Sequence, residues 1–226
     1  MNQTQKVKLF KESINKFGKT EPRAEFMKIA REMFEKDRKT EAALLLLSTW
    51  NYKTFKNTIK DFNYEKFEFV IKSLQLDLDE FNNTPFENMD LSYERSKIVN
   101  MFNRLCDLPI VNSDSEHGNI GPTGASKLLY LFRPHQFIMW DSHIRGEDSK
   151  EKYIKLENID FYKPIFHNNN YPTFEERGYG YFHFLYEMQN LFCSSQFKKI
   201  ALRSNKSMAK AIDEFNFLNI SLRIIH

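Results

Sequence analysis

The chain has 226 residues, with 33 Lys and Arg against 30 Asp and Glu for a net charge of +3, 41% hydrophobic and 15% aromatic content, and only seven Gly, seven Pro and two Cys. That length suits one domain or two closely packed lobes, and buries roughly 70% of the unfolded surface. Cys106 and Cys193 carry no metal-ligand spacing and are expected as buried free thiols; the polar start, MNQTQKVK, and a longest aliphatic run of Ala42 to Leu47 exclude a secretory signal and a membrane span, so a soluble, cytoplasmic protein is expected.

Val7, Phe10, Ile14 and Phe17 recur at spacings of three and four, which predicts a helix over 4–18 stopped by Gly18. Thr20-Glu21-Pro22 opens a second helix with Phe26, Ile29, Ala30, Met33 and Phe34 inward. Thr40 caps a third, whose core from Ala42 to Leu47 is apolar on all sides and so central to the fold. It ends in Ser48 to Tyr52, a polar and aromatic cluster suited either to holding a planar ring or to filling core. Residues 53–74 continue as helical segments carrying Phe55, Ile59, Phe62, Phe67, Val70, Ile71 and Leu74, broken at Asn63. Leu76 to Met89, acidic and containing Asn82-Asn83-Thr84-Pro85, reads as the connector between two lobes.

Asp90 then caps a helix with Leu91, Ile98, Met101, Phe102 and Leu105 on its core face, followed by a polar loop, 112–119, whose Asp114 and Glu116 would repel an anion. Gly118, Gly121 and Gly124 punctuate a turn that opens into an apolar helix carrying Ala125, Leu128, Leu129 and Phe132, and a Pro-marked break leads to Trp140-Asp141 at the head of another helix. A glycine-rich turn feeding a helix N-terminus is an anion site, because unpaired amides and the positive end of the helix dipole point outward together. The alternative is an ordinary tight turn with Thr123 as N-cap.

Beyond Arg145 come a charged stretch to Lys155, a loop at Asn168 to Pro172, and an aromatic helix over 173–193 in which Gly178 and Gly180 admit close backbone approach or mark a kink. Residues 194–212 hold Lys198, Lys199, Arg203, Lys206 and Lys210 and no acid, which makes them a candidate phosphate-tracking surface or a solvated face. Alternation suggestive of a strand is confined to Ile220 to Ile225. The fold class is therefore all-α, roughly ten helices in two lobes. Charge is uneven: residues 1–60 hold fourteen basic against seven acidic side chains, 61–120 five against twelve, and 121–226 fourteen against eleven. A nucleic-acid partner would meet the basic ends.

Asn119-Ile120-Gly121-Pro122-Thr123-Gly124-Ala125, the apolar helix after it, and Trp140-Asp141-Ser142-His143-Ile144-Arg145 together resemble the signature of the helix-hairpin-helix DNA glycosylases. In that family an L-P-G-V-G hairpin is followed by a helix and by V-D-T-H-I-x-R, whose Asp is catalytic. With Ile120-Gly121 laid on the V-G of the hairpin, Thr123 falls where bifunctional members carry a lysine, eighteen residues before Asp141. The match covers about an eighth of the chain. Trp140 replaces a small aliphatic residue, the Leu-Pro is displaced to Leu108-Pro109, and the lysine position holds threonine.

The resemblance implies a single bilobal helical unit over 1–226 with a cleft between the lobes, and a helix-hairpin-helix plus catalytic segment over 106–145. It implies a monofunctional enzyme acting as a monomer on double-stranded DNA: Asp141 catalytic or capping its helix, and a phosphate gripped by Asn119, Ile120, Gly121, Pro122, Thr123, Gly124 and Lys127. Trp50, Asn51 and Trp140 are candidates for the base pocket, and His143 and Arg145 for structural or phosphate contacts. Without an amine at Thr123 no Schiff base forms there, and Lys127 is the remaining candidate amine. No metal or organic cofactor is implied, only the option of a monovalent cation at the hairpin carbonyls. The base removed is open among oxidised guanine, alkylated purines, mismatched pyrimidines and bulky modified cytosines of phage DNA. A non-catalytic DNA-binding module and a helical interaction protein are the alternatives.

Overall fold

The computed structural model describes residues 3–21, 23–113, 118–145 and 174–221. Within them the chain is helical, and extended pairing is limited to two isolated antiparallel bridges, Phe62 with Val111 and Pro109 with Asn119. Among the described residues no helix is long and apolar enough to cross a membrane.

Helix α1 (Gln3–Thr20) runs two residues past its expected stop at Gly18. The Glu21 amide still donates to Phe17 O at 3.1 Å, so the helical bonding outlasts the roughly 1 kcal/mol that an interior glycine costs. Helix α2 (Ala24–Glu35) starts later than Thr20, beyond a corner at Glu21 and Arg23. Its inward face is only partly the expected one, since Ala30, Met33 and Phe34 pack inward. Met27 and Ala30 are buried, whereas Phe26 and Ile29 are 43% and 44% exposed. Helix α2 carries apolar residues on two faces, and its packing on α3 (Lys39–Trp50) covers only one of them. Thr40 lies buried inside the first turn of α3 and does not cap it.

Asn63 separates α4 (Tyr52–Thr58) from α5 (Tyr64–Asp79) and caps the latter, its carboxamide oxygen accepting from the Lys66 amide at 2.9 Å. Ile59 is 62% exposed at the end of α4. Because α5 runs to Asp79, the acidic connector is shorter than its composition suggests. It is pinned to the 133–140 segment, Gln136 donating to Thr84 O at 2.9 Å and the Phe86 amide to His135 O at 2.8 Å. Asp90 caps α6 (Leu91–Asp107) through the Tyr93 amide at 3.0 Å, and the expected core face of α6 is buried.

Helix α7 (Gly121–Phe132) is buried at every position from Gly124 to Phe132, the pattern of a helix with protein on all sides. It packs against α3 and α6, and a short α8 (Ser142–Arg145) follows it. Helix α9 (Phe174–Phe192) runs unbroken through Gly178 and Gly180 and lies along α6. Gly178 permits that approach: a Cβ there would stand 2.4 Å from Val99 O, and its amide donates to Asn103 Oδ1 at 2.7 Å. Phe102 stacks on Tyr181 at 4.3 Å between ring centroids, while Phe10, Phe192, Phe197 and Phe215 join α1 and α9 to α10 (Ser195–Arg203) and α11 (Met208–Asn216).

The basic stretch of 194–212 divides. Lys199 and Arg203 face solvent, but Lys206 pairs with buried Glu214 and Lys210 with buried Asp213, acids one and two turns further on. Cys106 is buried and Cys193 half-buried, both free. The charged stretch after Arg145, the loop at 168–172 and the end of the alternating tail lie outside the described residues.

Candidate functional site

Between α6 and α7 the chain forms a small hairpin whose limbs are 108–111 and 118–120. The Ile110 amide donates to Gly118 O at 2.8 Å and the Ile120 amide to Leu108 O at 3.3 Å. Leu108-Pro109, displaced in sequence, is thereby returned to lie beside Asn119-Ile120. The hairpin is anchored on the α4–α5 corner, where the Asn63 amide donates to Ile110 O at 2.8 Å and the Asn112 amide to Asp61 O at 2.9 Å. At its exit Gly121 has φ +66°, a left-handed value, and α7 begins there. Aliphatic Ile120 holds the cap position and offers no side-chain acceptor, so the first-turn amides receive no side-chain cap. Thr123, inside this turn, is not the N-cap.

Asp141 returns to this turn through a connected set of polar groups. The Trp140 amide donates to Ser126 Oγ at 2.9 Å, and buried Arg145 spans the gap, its Nη1 donating to Trp140 O at 2.7 Å and its Nη2 to Thr123 Oγ1 at 3.0 Å. Asp141 itself is half-buried at the head of α8, where Oδ1 accepts from the Ile144 amide at 2.9 Å. This is a helix cap, which fixes the carboxylate in direction.

Lys127 is not a solvated helix lysine: it is 4% exposed and its ammonium donates to Trp50 O. Burial pushes the amine down to about 8, and the nearby charge of Asp141 offsets only part of that. On the other side of Trp50 lies Arg23, whose guanidinium sits 4.7 Å from the indole centroid and grips Glu21 with Nε and Nη2 at 2.7 and 2.8 Å. Burial raises the Glu21 carboxyl, but the Arg23 hydrogen bonds and charge outweigh it and hold the group below the usual carboxylate range. Glu21 hydrogen bonding, and more weakly the Asp141 charge, raise Arg23. Asp141, Glu21, Arg23, Lys127 and Arg145 thus cluster two carboxylates with three cations.

The aromatic candidates are not open platforms. Trp140 is 2% exposed and packs against Phe102, Tyr181 and Phe184 within 6.0 Å between centroids, so it fills core and leaves no face for a base. Trp50 is 8% exposed, its ring covered by Arg23 and Phe217 and its Nε1 donating to Arg23 O. Asn51 is half-buried at the bend, its Nδ2 3.5 Å from where a Gly124 Cβ would stand. Of the bend residues, Ile120 and Gly124 are buried, while Asn119, Gly121, Pro122 and Thr123 are half-buried. The His143 side chain and the acids at 114 and 116 lie outside the described residues.

Sequence reasoning missed Glu21 and Arg23, which pair within the α1–α2 corner and meet the end of α3 where Arg23 lies over Trp50. Ser126 could have been found, since a hydroxyl within an otherwise apolar helix needs a partner. Among the described residues no group of three or more His, Cys, Asp or Glu side chains is placed to hold a metal ion. No protein-family model matches the chain, and neither does any curated protein or solved structure.

Proposed function

We propose that the chain is a monofunctional DNA glycosylase of the helix-hairpin-helix type, which extrudes a modified base from double-stranded DNA into a cleft between two lobes and hydrolyses its N-glycosidic bond. The observation that carries this reading is the Arg145 link between Thr123 and the Trp140 carbonyl, which ties the residue before Asp141 to the first turn of α7. The return of Leu108-Pro109 to the side of Ile120-Gly121 supports α6, the small hairpin and α7 as the DNA-gripping unit. Uncapped amides there suit a backbone phosphate next to the extruded nucleotide.

Breaking the glycosidic bond develops oxocarbenium character on the deoxyribose. A fixed anion stabilises that charge and orients the attacking water, and Asp141 is the residue assigned both roles in this proposal. Lys127 directs its amine at Trp50 O, away from any role as nucleophile, which favours hydrolysis that stops at an abasic site. A bulky modified cytosine of phage DNA is the first substrate to test, because the chain departs from the family pattern at Trp140 and Thr123.

The second reading is a DNA-binding module without catalysis, favoured by the ordinary capping bond from the Ile144 amide to Asp141. Duplexes carrying a panel of modified bases, followed by alkali to break abasic sites, separate the two. Strand cleavage that falls at least about a hundredfold in Asp141→Asn supports the enzyme. Salt-sensitive binding without cleavage on any duplex refutes it and leaves the module.

A further inference from the structure

The two basic ends of the chain meet in the fold. Helix α1 carries five lysines and one acid, Glu12, while α10 carries Lys198, Lys199 and Arg203 and no acid, and the two helices pack against each other. Together they hold a net of seven positive charges, where the whole chain holds three. Helix α11, which packs on both, does not cancel this charge, because Asp213 and Glu214 are buried and engaged by Lys210 and Lys206.

Elsewhere cations are interleaved with acids one turn away, as Lys72 with Glu68 on α5 and Arg38 with Glu41 at the head of α3. On α1 and α10 the pattern is one-sided. Lys8 reaches Glu12 only at 4.0 Å, and the exposed Lys11, Lys19, Lys199 and Arg203 pair with no acid among the described residues. Lys8 with Lys11, and Lys199 with Arg203, stand one turn apart as like charges, a spacing that weakens a helix by itself and is relieved when a polyanion lies across it.

The chemistry of the face selects among polyanions. The aromatic residues of both helices, Phe10, Phe17 and Phe197, are buried, and exposed rings such as Tyr52 of α4 and Tyr93 of α6 lie on other elements, so the face has no platform for unpaired bases. Helix α1 turns its apolar stripe inward, and Leu202 is the one exposed aliphatic side chain described on the two helices, too little to bury in a lipid surface. At 18 residues α1 is about 27 Å long, more than the roughly 12 Å width of a major groove, so lying across a duplex it reaches phosphates of both strands.

We infer that α1 and α10 form a second DNA-contacting face, which follows the phosphate backbone of a duplex without reading its sequence. The choice of DNA rests on the excision reading; the face itself shares no residue with the 108–120 hairpin or Asp141 and gives affinity for unmodified duplex.

Fluorescence anisotropy of the full chain with a labelled, unmodified DNA duplex at several salt concentrations tests this. Lys11→Glu combined with Lys199→Glu keeps the circular dichroism spectrum, loses about tenfold or more in affinity, and flattens the slope of log affinity against log salt by about 2. Lys11→Arg with Lys199→Arg binds as the parent does. Lys36→Glu with Lys72→Glu, the same charge change at exposed positions of other elements, stays within about twofold of the parent. The inference is overturned if the parent binds no duplex, if the Lys11 and Lys199 reversals bind as tightly as the parent, or if the Lys36 and Lys72 reversals lose as much. Tighter binding to a single strand of the same sequence, to duplex RNA or to phosphatidylserine vesicles overturns it in favour of that partner. Alkali-sensitive cleavage of modified duplexes reads the excision proposal separately. A parent that binds through this face and cleaves nothing refutes excision and leaves the face standing, whereas a cleaving parent whose Lys11 and Lys199 reversals bind and cleave unchanged does the reverse.

Discussion

Replacing Lys127 by Met removes an ammonium from the least solvated part of the Asp141 cluster. Its folded-state pKa of about 8 against 10.5 for an ordinary lysine means that the fold disfavours the charged form. At pH 7 both folded and unfolded chains carry the proton, and the penalty is present at about 3 kcal/mol. Between pH 8 and 10.5 the unfolded chain keeps a proton that the folded chain has released, so parent stability climbs, and by pH 10 the penalty is below about 1 kcal/mol. The Met variant lacks this dependence and leaves Trp50 O without its donor, which costs about 1 kcal/mol at every pH. Lys127→Met is therefore expected to be about 2 kcal/mol more stable than the parent at pH 7 and about equal to it at pH 10. Urea melts of both proteins at the two pH values measure the gap, and other titrations cancel in the difference. A gap that does not change with pH would show that Lys127 is not a desolvated amine.

Gly178→Ala places a methyl 2.4 Å from a backbone carbonyl of α6, which must move, and is expected to cost about 1–3 kcal/mol in a denaturant melt; an unchanged midpoint would mean that α6 and α9 are not in this contact. Gly121→Ala meets no atom within 4 Å, so only its left-handed backbone is strained, for about 1–2 kcal/mol. In the same melts Gly121→Asn should lose much less, because Asn tolerates the left-handed region, and an equal loss for both variants would point to a steric clash instead. Asn63→Ala removes both the α5 cap and a 2.6 Å bond to Asn112 on the hairpin, and should lower stability by about 1–2 kcal/mol and raise hydrogen exchange in 108–113 before the rest of the chain.

Much of the frame was legible in the residues, and the reasons are local. Asp90 declares itself because a short polar side chain stands just before the apolar period of α6, whereas Asn63, read as a break, caps α5 and Thr40, read as a cap, does not cap α3. The glycines at 121 and 178 mark a left-handed corner and a close helix contact. The 133–140 segment brings the chain back along α7, so that the Trp140 amide meets Ser126 and Arg145 meets Thr123. Burial, in contrast, is decided by what arrives from elsewhere. Phe26 and Ile29 lie on one of two apolar faces of α2, and nothing in α2 says which face α3 covers. Trp140 beside an acid suggests a platform, yet three aromatic rings from α6 and α9 enclose it. Lys127 looks like a solvated lysine in its own helix and is buried because the end of α3 presents a carbonyl to it. Lys206 and Lys210 form a basic run in sequence, but two acids further along α11 draw both inward.

Helix α7 has no wet side from Gly124 onward, and this sets how the chain can change over generations. A surface helix drifts freely along its outer stripe, whereas here nine consecutive positions each answer to a neighbour. Ancestors and descendants of this chain would then differ widely in α1 or α5 while keeping this stretch nearly fixed in size and polarity. The rod that leads out of the Gly121 bend is thus also the part of the molecule least free to be redrawn.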